Sequence, residues 1–261
     1  MQLTPAEQLL QELGVTQPNE IDLEAIAYYV NARVKFRMLD GCEARIIGRG
    51  DEAIITVNAS SPIRRKRFSI AHELGHWHHH RGKRLACRAE DYQPRATVSP
   101  ERTADNYAAD LLMPNYLFRP LARQYGRLNF KTINTLANAF NTSQTATAIR
   151  FIEGDYAPAL LVCHGPKGRK WFARSPSLPP KWFPKETLDA DSFAFDVLFG
   201  GKPDDASPYR VGADAWFDRW EAQRFEVQEQ TMRTGPDETL TLILIDDPKM
   251  MEEQEESRRW R

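Results

Sequence analysis

Leu3, Leu9, Leu10 and Leu13 recur at helical spacing at the N-terminus. Leu23, Ile26, Ala27 and Val30 form a second stripe behind Asp22, whose carboxylate can cap a helix. The period then changes. RVKFRML (33–39) alternates and predicts a strand, and ARIIGRGDEAIITVN (44–58) predicts two strands joined by a glycine-bearing turn. Beyond Pro62, residues 64–80 hold no proline and one glycine, Gly75. They place Phe68, Ala71, Leu74 and Gly75 on one side, which predicts a helix. Residues 81–98 are polar and without clear period. Ser99 and Pro100 then supply an N-cap and a first helical residue for a helix that stops before Pro114. Helices continue through 115–152, and LANAFNTSQTATAIRF (136–151) has a helix-turn-helix outline.

After about residue 155 the pattern shifts to strands. ALLVCH, RKWFARS and ETLTLILID read as such, with prolines concentrated between them. The aromatics are dense here (Trp171, Phe172, Trp182, Phe183, Phe193, Phe195, Phe199, Trp216, Phe217, Trp220) and read chiefly as core. The expected organisation is α+β: a metal-binding domain over 1–120 with a small sheet, a helical segment over 121–154, an α+β domain over 155–248 and a charged tail over 249–261. No internal repeat is visible.

Composition narrows the function classes. With 41% hydrophobic and 27% charged residues the chain can build a core, so wholesale disorder is excluded. The net charge of -1 argues against a protein held on DNA by bulk charge. No stretch approaches the roughly 18 apolar residues of a membrane span. The first residues carry early acids and no apolar run, so no signal peptide is expected. Cys42, Cys87 and Cys163 are far apart and form no CxxC, which fits a reducing cytoplasm.

The chemistry concentrates in Ala71-His72-Glu73-Leu74-Gly75-His76, an HExxH on the expected helix. Residues four apart share a helix face, so His72 and His76 can aim two imidazoles at one point. Glu73 lies about 100° around and can reach a water bound there. Zinc suits nitrogen and oxygen donors and keeps one position for water in catalytic sites. Of the other histidines (His78, His79, His80 and His164), His80 shares the face. It stands about 12 Å along the helix from His72, too far for bonds of about 2 Å. The run 78–80 reads as a solvated helix end favoured by the macrodipole.

A carboxylate is the better third ligand. Glu101, Asp105, Ala108 and Leu112 fall on one face of the next helix, and a core-facing stripe with two carboxylates is costly unless they are paired or coordinated. Glu101 is expected on the metal, and Asp105 is expected to accept the N–H of a ligand histidine. Glu90 and Asp91 are rivals in a less regular segment. Tyr92 and Tyr107 are candidates for stabilising an oxyanion, and both also fit ordinary packing. The strand Ala53–Val57 is expected to be a sheet edge that pairs an extended substrate. The run Arg64-Arg65-Lys66-Arg67 reads as a solvated helix start that could also collect an acidic segment. The second helix of the helix-turn-helix outline, 143–152, offers only Arg150 and Gln144 for base or phosphate contacts, so direct DNA binding is not expected.

AHELGH followed by Glu101-x-x-Ala104-Asp105-x-Tyr107-Ala108-x-x-Leu111-Leu112-Met113-Pro114 resembles the ImmA/IrrE family of metallo-endopeptidases, over about residues 20–150. The resemblance implies a zincin-like, gluzincin-type fold and one zinc on His72, His76 and Glu101, with Glu73 as general base. The family often has Asn where Asp105 stands. Some relatives carry a GAF-like sensory domain at the C-terminus, so 155–248 could be a sensor. The resemblance also implies site-specific cleavage of a helix-turn-helix repressor in a stress, phage or mobile-element response. The rival is a non-proteolytic zinc-fold regulatory protein in a toxin–antitoxin-like pair. A binding module could discard Glu73, which this chain retains.

Overall fold

A computed structural model describes residues 2–80, 85–86, 99–205 and 207–252. Two compact units emerge, one of Met1–Leu121 with Thr135–Ala146, the other of Ala122–Asn134 with Thr147–Arg261. Among the described residues no helix is long and apolar enough to cross a membrane.

The first unit begins with helix α1 (Pro5–Glu12). Thr4 and Glu7 close a reciprocal capping box at its start, satisfying amide groups that a helix end otherwise leaves free. Asp22 caps α2 (Leu23–Tyr29), as the pattern predicts, by accepting from the amides of Glu24 and Ala25. Strands β1 (Ala32–Arg37), β2 (Ala44–Arg49) and β3 (Glu52–Asn58) follow, then α3 (Ile63–His80), a two-residue β4 (Leu85–Ala86) and α4 (Pro100–Leu112). Ser99 caps α4 through the amide of Arg102, with Pro100 in the first turn. The sheet order is β1-β3-β2-β4. Ala32, Ile46, Ala53, Ile55 and Val57 turn one face inward, where they join Ala71, Leu74 and Trp77 of α3 in the buried core. Trp77 donates its indole N–H to the carbonyl of Val30 at 2.8 Å.

The topology corrects one expectation. β3, which contains Ala53–Val57, pairs with β1 in parallel and with β2 antiparallel, so it is a central strand and its backbone groups are occupied. It cannot pair a substrate. Alternating hydrophobicity reports which face is buried, and an edge strand and a central strand of one sheet share that alternation.

Three helices follow: α5 (Asn115–Gln124), α6 (Phe130–Phe140) and α7 (Gln144–Glu153). Between the last two, Asn141 takes a left-handed conformation (φ 52°) and ends α6.

The second unit holds a five-stranded antiparallel sheet ordered β6-β5-β9-β8-β7, from β5 (Ala159–Gly165), β6 (Gly168–Arg174), β7 (Tyr209–Gly212), β8 (Glu226–Gly235) and β9 (Glu238–Leu244). A short helix, α8 (Phe193–Leu198), joins it. Leu160, Val162, Val227 and Ile243 meet Trp182, Trp216 and Phe217 in one core cluster. β5, β6 and β9 follow the expected strands. β7, β8 and α8 were not legible in the pattern. β8 reads EVQEQTMRTG, yet Glu229 and Thr231 are fully buried. A strand that turns polar groups inward has no apolar alternation to show. The rivals Glu90 and Asp91, with Tyr92, Cys87 and tail residues 253–261, lie outside the described residues.

Candidate metal centre

α3 and α4 build the site by touching backbone to backbone. A Cβ at Gly75 would fall 2.9 Å from the Cα of Ala104 and 3.0 Å from its carbonyl oxygen, closer than real Cβ atoms approach. Only glycine permits that contact, and it sits between the two histidines of α3 and one turn from Glu101 on α4. The helix crossing therefore delivers Glu101 to His72 and His76.

These three side chains converge. The Nε2 atoms of His72 and His76 are 3.0 Å apart, Glu101 Oε2 is 3.1 Å from His72 Nε2, and Glu101 Oε1 is 3.4 Å from His76 Nε2. His72 Nδ1 lies 2.9 Å from Asp105 Oδ1. If that nitrogen carries the proton and donates it to Asp105, His72 Nε2 presents a lone pair, and it faces a carboxylate oxygen and a second imidazole. Lone pairs facing one another repel unless a cation lies among them. A tetrahedral ion bound through nitrogen and oxygen at about 2.0–2.2 Å spaces its donors about 3.3 Å apart, and the three separations here fit that spacing. His72, His76 and Glu101 could thus hold a metal ion. Burial disfavours a charged His72 ring, but the hydrogen bond and charge of Asp105, with Glu73 and Glu101, outweigh it and raise its pKa.

Glu73 is buried, and its Oε2 has no hydrogen-bond partner among the described residues. Burial raises its pKa to about 7; the nearby His72 lowers it and Glu101 raises it further. A carboxyl group with a free oxygen and a pKa near neutrality can take up and release a proton.

The other singled-out residues are not among the converging ligand side chains. His78 and His79 are exposed, and His78 stacks on Tyr107 with ring centres 5.0 Å apart. The side chain of His80 is outside the described residues. Tyr107 packs against Gly75 between the two histidines, and burial pushes its hydroxyl up to about 12. His164 is buried in β5 of the second unit. The basic run does not act as one patch. Arg64 donates to Asn138 at 2.6 Å, Arg65 lies near Glu43, Lys66 sits over the Phe36 ring, and Arg67 donates to the carbonyl of Ile21. The role of Gly75 is not legible in the sequence, because a glycine in HExxH looks like filler until a second helix is laid against it.

Residues 38–151 match the family model described as the IrrE N-terminal-like domain, Peptidase_M78. Among solved structures, a Mycobacterium tuberculosis transcriptional regulator is similar over 94% of this chain and 80% of its own, with a TM-score of 0.58 and 15% identity. At that identity the likeness is one of fold. A comparison with curated proteins finds no match.

Proposed function

We propose that the chain is a zinc-dependent endopeptidase, a reading supported by the match of residues 38–151 to the IrrE N-terminal-like domain of Peptidase_M78. The observation that carries this is a buried carboxyl group with a free oxygen, Glu73, beside three converging metal-ligand side chains. In this reading His72, His76 and Glu101 hold the zinc, and Asp105 fixes the tautomer and orientation of His72. Bound zinc lowers the pKa of a water to about 7 and polarises a peptide carbonyl. Glu73 takes the proton from the attacking water and returns it to the leaving amine. Its burial keeps it from being levelled by bulk solvent, so its proton affinity suits both halves of the cycle.

The substrate we propose is a helix-turn-helix repressor, cut at one site, in a cytoplasmic response. The family resemblance supports this, as does the fold likeness to a protein named a transcriptional regulator. The same name favours a second reading, a regulatory protein that keeps the metal fold and acts by contact. Glu73 separates them, because contact alone needs no buried proton acceptor.

The test is to incubate the wild type and Glu73→Gln, in zinc, with any helix-turn-helix regulator encoded beside this chain and to map products by mass spectrometry. Two discrete fragments from the wild type and none from the variant are expected. A stable complex without cutting would select the second reading. Zinc content gives an independent check. Glu101→Ala should lose most of its metal and His80→Ala should keep it, and full zinc in the Glu101 variant would remove Glu101 from the ligand set.

A further inference from the structure

The sheet of the first unit has a second face, turned away from its buried side. Its rows follow from the strand register: Arg33 beside Ile54 beside Ile47, then Lys35 beside Thr56 beside Arg45, with Glu52 opposite Arg49. A sheet face in water is ordinarily polar. Here two isoleucines stand side by side at its centre, 41% and 59% exposed for Ile54 and Ile47. Tyr28 and Tyr29 of α2 are 69% and 57% exposed. These residues, with Leu13, line one groove of about 890 Å³. Single exposed hydrophobics are normal, but a contiguous set around a groove marks a binding surface.

The charge around this centre is one-sided. Arg33, Lys35, Arg45 and Arg49 are exposed and form no ion pair among the described residues, and Glu52 is the one acid in these rows. Arg33 rests over the Tyr28 ring at 5.7 Å. This arrangement selects an occupant. A second copy docking the same face would set four cations against four, so self-pairing is repelled. Nucleic acid would satisfy the cations, but the isoleucine pair at the centre offers bases no stacking surface, and the Tyr28 ring is already covered by Arg33. An apolar centre with an arginine-rich rim is the anatomy of a protein interface. The complementary surface carries an apolar strip flanked by carboxylates, and an amphipathic helix laid in a groove presents that.

We propose that the outer face of β1, β3 and β2 is a docking surface for an acidic amphipathic helix of another protein. The surface lies on the opposite side of the sheet from the face that joins α3, and the inference stands whether or not the chain cleaves peptides.

The experiment uses the full chain and a fluorescein-labelled peptide of Leu, Glu and Ala, about five helical turns long, with Leu on one face. A scrambled peptide of the same composition is the control. The ordered peptide should bind at least about tenfold tighter than the scrambled one. Ile47→Asp with Ile54→Asp should weaken it about tenfold at every salt concentration, because the loss is apolar. Arg33→Gln with Arg45→Gln and Arg49→Gln should remove most of the salt dependence of binding. Should the Asp variant melt early, Ile47→Ser with Ile54→Thr carries the same expectation. Equal binding of both peptides, or undiminished binding by both sets of variants, would overturn the proposal. So would displacement of the peptide by oligodeoxythymidine at equal concentration, or a dimer that Ile47→Asp dissolves in sedimentation.

Discussion

Two buried glutamates in this molecule share a pKa and differ in everything else. Glu73 in α3 and Glu229 in β8 are both pushed up to about 7, and in both burial is the largest cause. Glu229 is spoken for. Its Oε1 accepts from the amide of Ala194 at 2.6 Å, and its Oε2 accepts from the indole N–H of Trp216 at 2.8 Å. Beside it Thr231 and Thr241 share a hydrogen bond of 2.9 Å. Glu73 keeps an oxygen without a partner among the described residues and stands near the converging side chains of His72, His76 and Glu101. A shifted pKa therefore does not by itself separate a reacting group from a structural one. The balance of donors and acceptors does. Around Glu229 the fold supplies the donors; at Glu73 it leaves one carboxyl oxygen unmet among the described residues, which a water would satisfy.

The largest expected contrast follows directly. Glu73→Gln should retain zinc and its melting temperature while losing cleavage by about a hundred- to ten-thousandfold. Glu229→Gln should leave the cleavage rate per folded molecule unchanged and lower stability, because the amide presents a donor where one is already aimed. Equal loss of cleavage in both variants, measured on the same substrate, would break the comparison.

The next effect concerns pH. The folded pKa of Glu229 lies above its ordinary 4.5, so the fold holds this proton longer than the unfolded chain does. Its contribution to stability falls as pH rises from about 4.5 to about 7, by roughly 3 kcal/mol. His164 runs the other way. Burial lowers its pKa from 6.5 to about 4, so the fold prefers the neutral ring, and stability falls as pH drops from 6.5 through about 4. Within the second unit, which does not contain Glu73, the two slopes oppose each other across the window between. Glu229→Gln should uncover a stability that rises with pH, and His164→Leu one that falls. Urea midpoints at pH 5 and pH 7 read this by tryptophan fluorescence, since every tryptophan but Trp77 lies at position 171 or beyond. Parallel slopes in the two variants would refute the assignment.

Gly75→Ala should be smaller and local. An added methyl against the Ala104 backbone forces α3 and α4 apart, at about 1–3 kcal/mol, and draws Glu101 away from the histidines. Zinc affinity from competition with a chelator should fall while the second unit melts as before. Unchanged affinity would show that the close contact is not what aligns the ligands. Asp105 supplies the smallest step. Asp105→Ala should weaken zinc binding about tenfold to a hundredfold, and Asp105→Asn, which can still accept from His72 Nδ1, should weaken it less.

Much of this was legible along the chain. The helix carrying HExxH, its capped partner beginning at Ser99 and the hairpin before them announce themselves by period, caps and turn glycine, which depend on neighbours within a few residues. The pair His72 and His76 is likewise local, since four residues fix their common face. Glu101 lies 29 positions from His72, yet its place on the stripe that leads to buried Ala108 and Leu112 pointed to it, although Asp105 on the same stripe is exposed. What the tertiary structure alone decided is which groups meet and which remain unmet. β3 became central because β1 returned to pair on its other side, and no alternation within β3 records that. β8 escaped notice because its inward residues are polar and are satisfied by α8 and Trp216, partners well separated in sequence. Gly75 acquired its meaning when Ala104 came to rest on it. Local pattern encodes the elements because their hydrogen bonds are local; the accounting of donors against acceptors is closed by segments far apart in the chain, so it exists only once the chain has folded.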